Sequence, residues 1–218
     1  MSVQAQDRNE GSDGDRDSRF VRSGTTMSER FWGIDWKREL PWNLDAVTAE
    51  LGAFETDALP FMQLHYSEIF PDAEQRWYLE PMTDAKLRYM AEADVILFRS
   101  DGETVGLCVG HPTDWSTYYV RTVALLPSHR DRGVVKLLHT QLPPLLARHG
   151  VVRLEADSSP ANRAILTMFT AQGWLITSTS NHDRWGSMLK YTMYLEQEAE
   201  RVFRKQFIYS PRVGRGRQ

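Results

Sequence analysis

Residues 123–138, VALLPSHRDRGVVKLL, set Arg130, Arg132 and Gly133 between an apolar run ending at Pro127 and a helical repeat that opens after the glycine. A strand leading through a basic turn into a helix gathers backbone N–H groups and the positive end of a helix dipole at one point, which suits a pyrophosphate. Gly133 lets backbone approach an anion closely, while Arg130 and Arg132 supply charge and His129 adds a donor. On spacing alone the same turn also reads as a solvated basic loop. His111, at Gly110-His111-Pro112 after a strand, titrates in the range useful to a proton carrier, or is a loop histidine without a role. Cys108 sits between Leu107 and Val109 in an apolar run and reads as a buried, inert thiol. His65, His139, His149 and His182 have no metal-ligand spacing with one another, so no metal is expected.

The elements that must hold these residues follow from hydrophobic period and turn chemistry. Asn43 or Asp45 can cap a helix reaching about Phe54, a second helix covers Leu59 to Ile69 with Pro60 in its first turn, and Thr83-Asp84 starts a third ending near Glu92. VILFR and TVGLCVG, joined at Ser100-Asp101-Gly102-Glu103, read as a hairpin, and a strand follows from Tyr118 to Leu126. After Gly133, Val134, Leu137, Leu138, Leu142, Leu145 and Leu146 recur at helical spacing up to His149-Gly150, interrupted by Pro143-Pro144, which remove two donors and force a bend. VVRLEA reads as a strand, Pro160 to Gln172 as a helix, and GWLITST and MLKYTMYLE as the last two strands.

The 218 residues carry 41% hydrophobic and 25% charged side chains and a formal net charge of -3. That is the range of one globular domain with tails. Residues 1–30 are rich in Asp, Arg, Gly and Ser with Phe20 as the only aromatic, and predict a disordered N-terminal tail. Residues 31–196 form the expected domain. Residues 197–218 read as a basic C-terminal tail, with Glu198 and Glu200 against Arg201, Arg204, Lys205, Arg212, Arg215 and Arg217. The overall charge argues against nucleic acid as a partner except through that tail, whose other reading is a solubilising extension. No signal-peptide pattern and no run of about 18 apolar residues is present, so neither secretion nor a membrane partner is expected, and a single cysteine fits a cytoplasmic setting.

The basic turn and the segment SSPANRAILTMFTAQGW together resemble the GNAT acetyltransferase superfamily. Its members carry an R/Q-x-x-G-x-G/A turn after the fourth strand, which here reads Arg130-Asp131-Arg132-Gly133-Val134-Val135. Its second block, N-x-x-A-x-x-x-(Y/F)-x-x-x-G-(F/W), is matched by Asn162, Phe169, Gly173 and Trp174, with Ala164 one position before the block's alanine. The resemblance covers about residues 60 to 196. HYSE at His65 to Glu68 is similar to the phage-type and N-acyl amino acid synthase-like branch.

The resemblance implies an α/β fold, a mixed and mostly antiparallel sheet with splayed fourth and fifth strands, flanked by helices. It implies acetyl-CoA or another acyl-CoA as co-substrate and a small-molecule or peptide amine as acceptor. The pantetheine arm would lie along Val123, Ala124 and Leu125, and the pyrophosphate on the amides of Arg130, Asp131, Arg132, Gly133, Val134 and Val135. Asn162 would touch the pantetheine or neighbouring backbone. Family members that have a tyrosine at the position of Phe169 use it to protonate the departing thiolate, which Phe169 cannot do. Val135 adds a branched side chain where the family has Gly or Ala, and Asp131 adds a negative charge to the anion turn.

Transfer from a thioester to an amine needs a neutral nucleophile, a polarised carbonyl and a route for one proton. Glu155 on the fifth strand, or His111, could take that proton; Glu155 also reads as an ordinary strand carboxylate. Tyr118 and Tyr119 lie near the place where some family members carry a glutamate base, or are packed aromatics. Trp32, Trp36 and Trp42 read as core or as an aromatic lid, and Trp115 as an acceptor contact. The sequence supports acyl transfer to an amine by direct attack. Two other readings stay open: a non-catalytic CoA-binding module, and an acyltransferase that draws on acyl carrier protein.

Overall fold

A computed structural model describes residues 25–71, 83–182 and 186–207. Strands β1 (Trp42–Leu44), β2 (Val47–Gly52), β3 (Asp94–Ser100), β4 (Glu103–Asp114), β5 (Thr117–Leu125), β6 (Arg153–Ser158), β7 (Leu175–His182) and β8 (Gly186–Tyr194) form one sheet. Its order is β1-β2-β3-β4-β5-β6-β8-β7, antiparallel everywhere except between β5 and β6. The helices are α1 (Met27–Trp32), α2 (Trp36–Glu39), α3 (Leu59–Ile69), α4 (Asp84–Ala91), α5 (Val134–Arg148), α6 (Arg163–Ala171) and α7 (Gln197–Phe207). This is the expected GNAT architecture of a mostly antiparallel sheet flanked by helices. No helix among the described residues is long and apolar enough to cross a membrane.

Strand alternation sends consecutive side chains to opposite faces, and both faces are covered. Ile96, Phe98, Cys108, Tyr118, Leu154, Ala156 and Tyr191 meet α5, Phe169 of α6 and the N-terminal Ile34 and Trp36. On the other face Val95, Leu97, Leu107, Val109 and Ala124 meet α3 and Met90 of α4. Two layers of helix around one sheet thus leave the two ends of β5 differently surrounded.

Several elements depart from the sequence expectations. The helix expected from Asn43 or Asp45 to Phe54 is instead the β1–β2 hairpin, turned at Asp45, whose φ is +49°. Asp serves helix caps and left-handed turn positions alike; here β2 pairs with β3 along its whole length, and Val47 and Ala49 alternate into the core. The tail expected up to residue 30 is in its last residues α1, where Thr26 caps the helix reciprocally with Glu29 and Ser28 is buried; residues 1–24 lie outside the described residues. Residues 197–207 of the expected C-terminal tail form α7, and residues 208–218 lie outside the described residues.

Pro143 and Pro144 lie within α5, which runs on through both to Arg148. The helix expected from Pro160 begins three residues later, because Asn162 Oδ1 accepts the amide of Ile165 at 3.2 Å and so caps α6. Trp36 and Trp42 are core residues, not a lid.

Candidate active site

β5 pairs with β6 only from Thr117 to Val120, opposite Arg153 to Ala156. Past Val120 the two strands part, and the β6-facing edge of Arg121 to Leu125 has no strand partner among the described residues. The ladder to β4 breaks at the same place: Val109 faces Thr122 and Gly110 faces Val120, so Arg121 is an unpaired extra residue, a β-bulge. Val123, Ala124 and Leu125 therefore stand on the β5 edge past the last β5–β6 pair, Val123 half-buried and Ala124 and Leu125 buried.

At the far end of that edge, Pro127–His129 make a short 3-10 turn and α5 begins after Gly133. Asp131 and Gly133 adopt left-handed φ of +59° and +81°, curling the backbone into a concave turn. No side chain caps α5, and its first bond inside the helix runs from the amide of Leu137 to the carbonyl of Gly133. The amides of Val134, Val135 and Lys136 thus have no partner within the helix or from a capping side chain among the described residues, the arrangement that receives a phosphate. The side chain of Val134 goes into the core, Val135 packs beside it, and Asp131 and Arg132 are exposed.

Arg130 Nη2 donates to the carbonyl of Ile69 at 2.8 Å, tying the turn to the C-terminal end of α3.

On the face covered by α4, the β5–β6 junction carries a polar basin. His111 lies opposite Tyr119 on β4, is 8% exposed, and touches the rings of Tyr119 and Tyr89 at 5.7 and 6.0 Å. Burial and the neighbouring Arg121 cation hold its pKa below the ordinary histidine value, which keeps the imidazole neutral. Tyr119 donates its hydroxyl to Asp157 Oδ2 at 2.8 Å, and Lys190 lies over its ring at 5.3 Å.

Glu155 is in the same basin, but cations hold both its oxygens: Lys190 Nζ is 3.2 Å from Oε2 and Arg153 Nε is 3.5 Å from Oε1. Sequence reasoning passed over Arg121 and Asp157. The alternation of Glu155 with Asp157 on one strand was a signal for the second; for Arg121, whose importance comes from the bulge, there was none.

Three residues of interest lie outside the basin. Phe169 is buried under α6, stacked on Trp174 at 4.4 Å. Cys108 is buried, and burial pushes its thiol up to about 12, so it is no nucleophile at neutral pH. Trp115 is 83% exposed at the β4–β5 hairpin, where its carbonyl accepts Trp32 Nε1 at 3.1 Å. No group of three or more metal-ligating side chains occurs among the described residues.

Residues 59–174, more than half of the chain, match the acetyltransferase (GNAT) family, and the chain belongs to that family. A 73-residue segment is 40% identical to L-2,4-diaminobutyric acid acetyltransferase from Nocardia farcinica; the match covers 33% of this chain and 38% of that protein. Among solved structures, a GNAT family acetyltransferase from Elizabethkingia anophelis with acetyl-CoA bound superposes with a TM-score of 0.52 at 15% identity, over 69% of this chain and 99% of that one. The IAA acetyltransferase from Bacillus cereus gives 0.51 at 14% identity, over 68% and 99%. These two likenesses concern the fold.

Proposed function

We propose that the protein transfers an acetyl group from acetyl-CoA to the amine of a small acceptor by direct attack. The observation that carries this reading is a coincidence of position: the bulge at Arg121, the last β5–β6 pair at Val120–Ala156 and the buried neutral His111 fall together at the tip of one cleft. The cofactor fits backbone groups that stand unpaired among the described residues. The amides of Val134, Val135 and Lys136 suit the diphosphate, and the edge of Val123 to Leu125 suits the pantetheine arm; bound there, acetyl-CoA supplies the activated acyl group.

The acceptor enters from the α4 face. His111 takes the proton that the nitrogen must shed, and its neutrality makes it available. Glu155, engaged by Lys190 and Arg153, shapes the field of the basin instead of carrying the proton. An acceptor bearing its own carboxylate suits Arg121, which is exposed beside His111 and has no ion pair among the described residues. The segment shared with the diaminobutyric acid acetyltransferase supports an amino-acid-like amine of this kind.

The test is calorimetry with acetyl-CoA followed by thiol release across a panel of amines that includes L-2,4-diaminobutyrate. Micromolar acetyl-CoA binding and release with at least one amino-acid-like amine is expected. A protein that does not bind acetyl-CoA overturns the reading.

A further inference from the structure

His111 is only 8% exposed, yet it has to receive a proton from an acceptor that comes from outside. Its neighbours decide how. The hydroxyl of Tyr119, whose ring lies 5.7 Å from the imidazole, is already donated to Asp157 Oδ2 at 2.8 Å. Arg121 is a cation with no lone pair to offer, and Glu155 is held by Lys190 and Arg153. Tyr89 differs from all three. It stands on α4 with 51% of its surface exposed, and its hydroxyl oxygen is 3.4 Å from His111 Nε2.

The two rings meet edge to face, 6.0 Å apart at 73°. Tyr89 thus bridges the outer side of α4 and one nitrogen of the buried imidazole. A neutral imidazole has one donor and one acceptor nitrogen, and a phenol can give one proton while it accepts another. With Nε2 as the acceptor, the hydroxyl hydrogen of Tyr89 points inward and the lone pairs of its oxygen stay available to a proton arriving from outside. His111 pairs with Tyr119, two residues ahead of the bulge at Arg121, so this pair of side chains stands beside the tip of the cleft.

We propose that Tyr89 is a catalytic proton relay: its hydroxyl receives the proton shed by the acceptor amine and hands its own to His111 Nε2. The proposal rests on the acetyl-transfer reading and gives the buried His111 a path to the acceptor. The amine nitrogen bonds to the acetyl carbon while one of its protons moves to Tyr89 Oη and the Tyr89 hydroxyl proton moves to Nε2. The carbon–sulfur bond breaks with its electron pair on sulfur, which takes a proton from solvent. The imidazolium then sheds its Nε2 proton to solvent back through the same hydroxyl, so Tyr89 and His111 both end as they began.

The test compares the parent, Tyr89→Phe, His111→Gln and the double variant. Phenylalanine keeps the ring against His111 and removes only the hydroxyl, so the melting temperature and the acetyl-CoA affinity by calorimetry should stay unchanged. With the best amine of the panel, kcat should fall by roughly 10²-fold in Tyr89→Phe. The double variant should be no slower than His111→Gln, because both side chains act on one proton path. Nitrogen-15 NMR of the parent without acceptor should show His111 Nε2 unprotonated. A Tyr89→Phe kcat within about threefold of the parent overturns the relay, as do losses that multiply in the double variant or a protonated Nε2. A parent that binds no acetyl-CoA, or that releases thiol with no amine of the panel, overturns the acetyl-transfer reading itself.

Discussion

The hydroxyl of Tyr119 reaches Asp157 across the one parallel strand pair, two residues beyond its own register partner Glu155. The bond spans β5 and β6 at the last positions where they are joined, and so fixes where the cleft begins. Tyr119→Phe leaves Asp157 Oδ2 with Lys190 Nζ at 3.6 Å as its remaining partner. The variant should lose about 1–2 kcal/mol of stability in urea denaturation and raise KM for the amine several-fold, with KM for acetyl-CoA unchanged.

His111 predicts the shape of the pH profile. Burial first, and the Arg121 cation second, lower its pKa, so the acid limb of kcat/KM should fall below pH 6.5, with activity rising as pH climbs through that limb. His111→Gln should reduce kcat by about 10²- to 10³-fold. Arg121→Gln removes one of the two forces and should shift the limb toward higher pH while weakening carboxylate-bearing acceptors. A limb that stays in place in Arg121→Gln counts against this base.

Gly133 and Gly150 make a matched pair. Both have positive φ, +81° and +82°, but a Cβ at Gly133 meets Leu44 Cδ2 at 3.2 Å whereas one at Gly150 meets nothing within 4 Å. Each alanine variant should cost about 1–2 kcal/mol from backbone strain, read by thermal unfolding. Gly133→Ala alone should also weaken acetyl-CoA binding by more than tenfold, read by calorimetry.

Asp94 is buried and its pKa is raised to about 6, by burial, against the hydrogen bonds from Ser28 and other neighbours. Its Oδ1 accepts from Ser28 Oγ at 2.6 Å and Trp36 Nε1 at 2.7 Å. Because the folded-state pKa lies above the unfolded one, the folded protein binds the extra proton. The contribution is therefore full below pH 3.8 and is lost as pH rises through 6, by about 3 kcal/mol. Asp94→Asn should lack this component, so the difference in unfolding free energy between the two proteins should change by most of that amount between pH 4 and pH 7.

The parts of the site that depend on local chain chemistry were legible in the sequence. Gly133 and the residues around it form a left-handed, uncapped helix start for reasons contained in a few neighbouring residues. The strands of the sheet after residue 94 could likewise be read from alternation and turn residues. The β1–β2 hairpin was not, because Asp45 is equally at home at a helix cap and in a turn, and only pairing with β3 decides between them. Arg121 was illegible for a similar reason, since it owes its place to a break in the ladder with β4.

The region matching the family ends at Trp174 and starts at Leu59, yet the core it belongs to is completed by Ile34, Trp36, Trp42 and Val47 upstream and by Tyr191 downstream. Excising residues 59–174 would leave Ile96, Phe98 and Leu154 facing water and strip β6 of its neighbour β8. The segment that matches the family is thus not a folding unit by itself, and any chimera that exchanges it must take its flanking strands along.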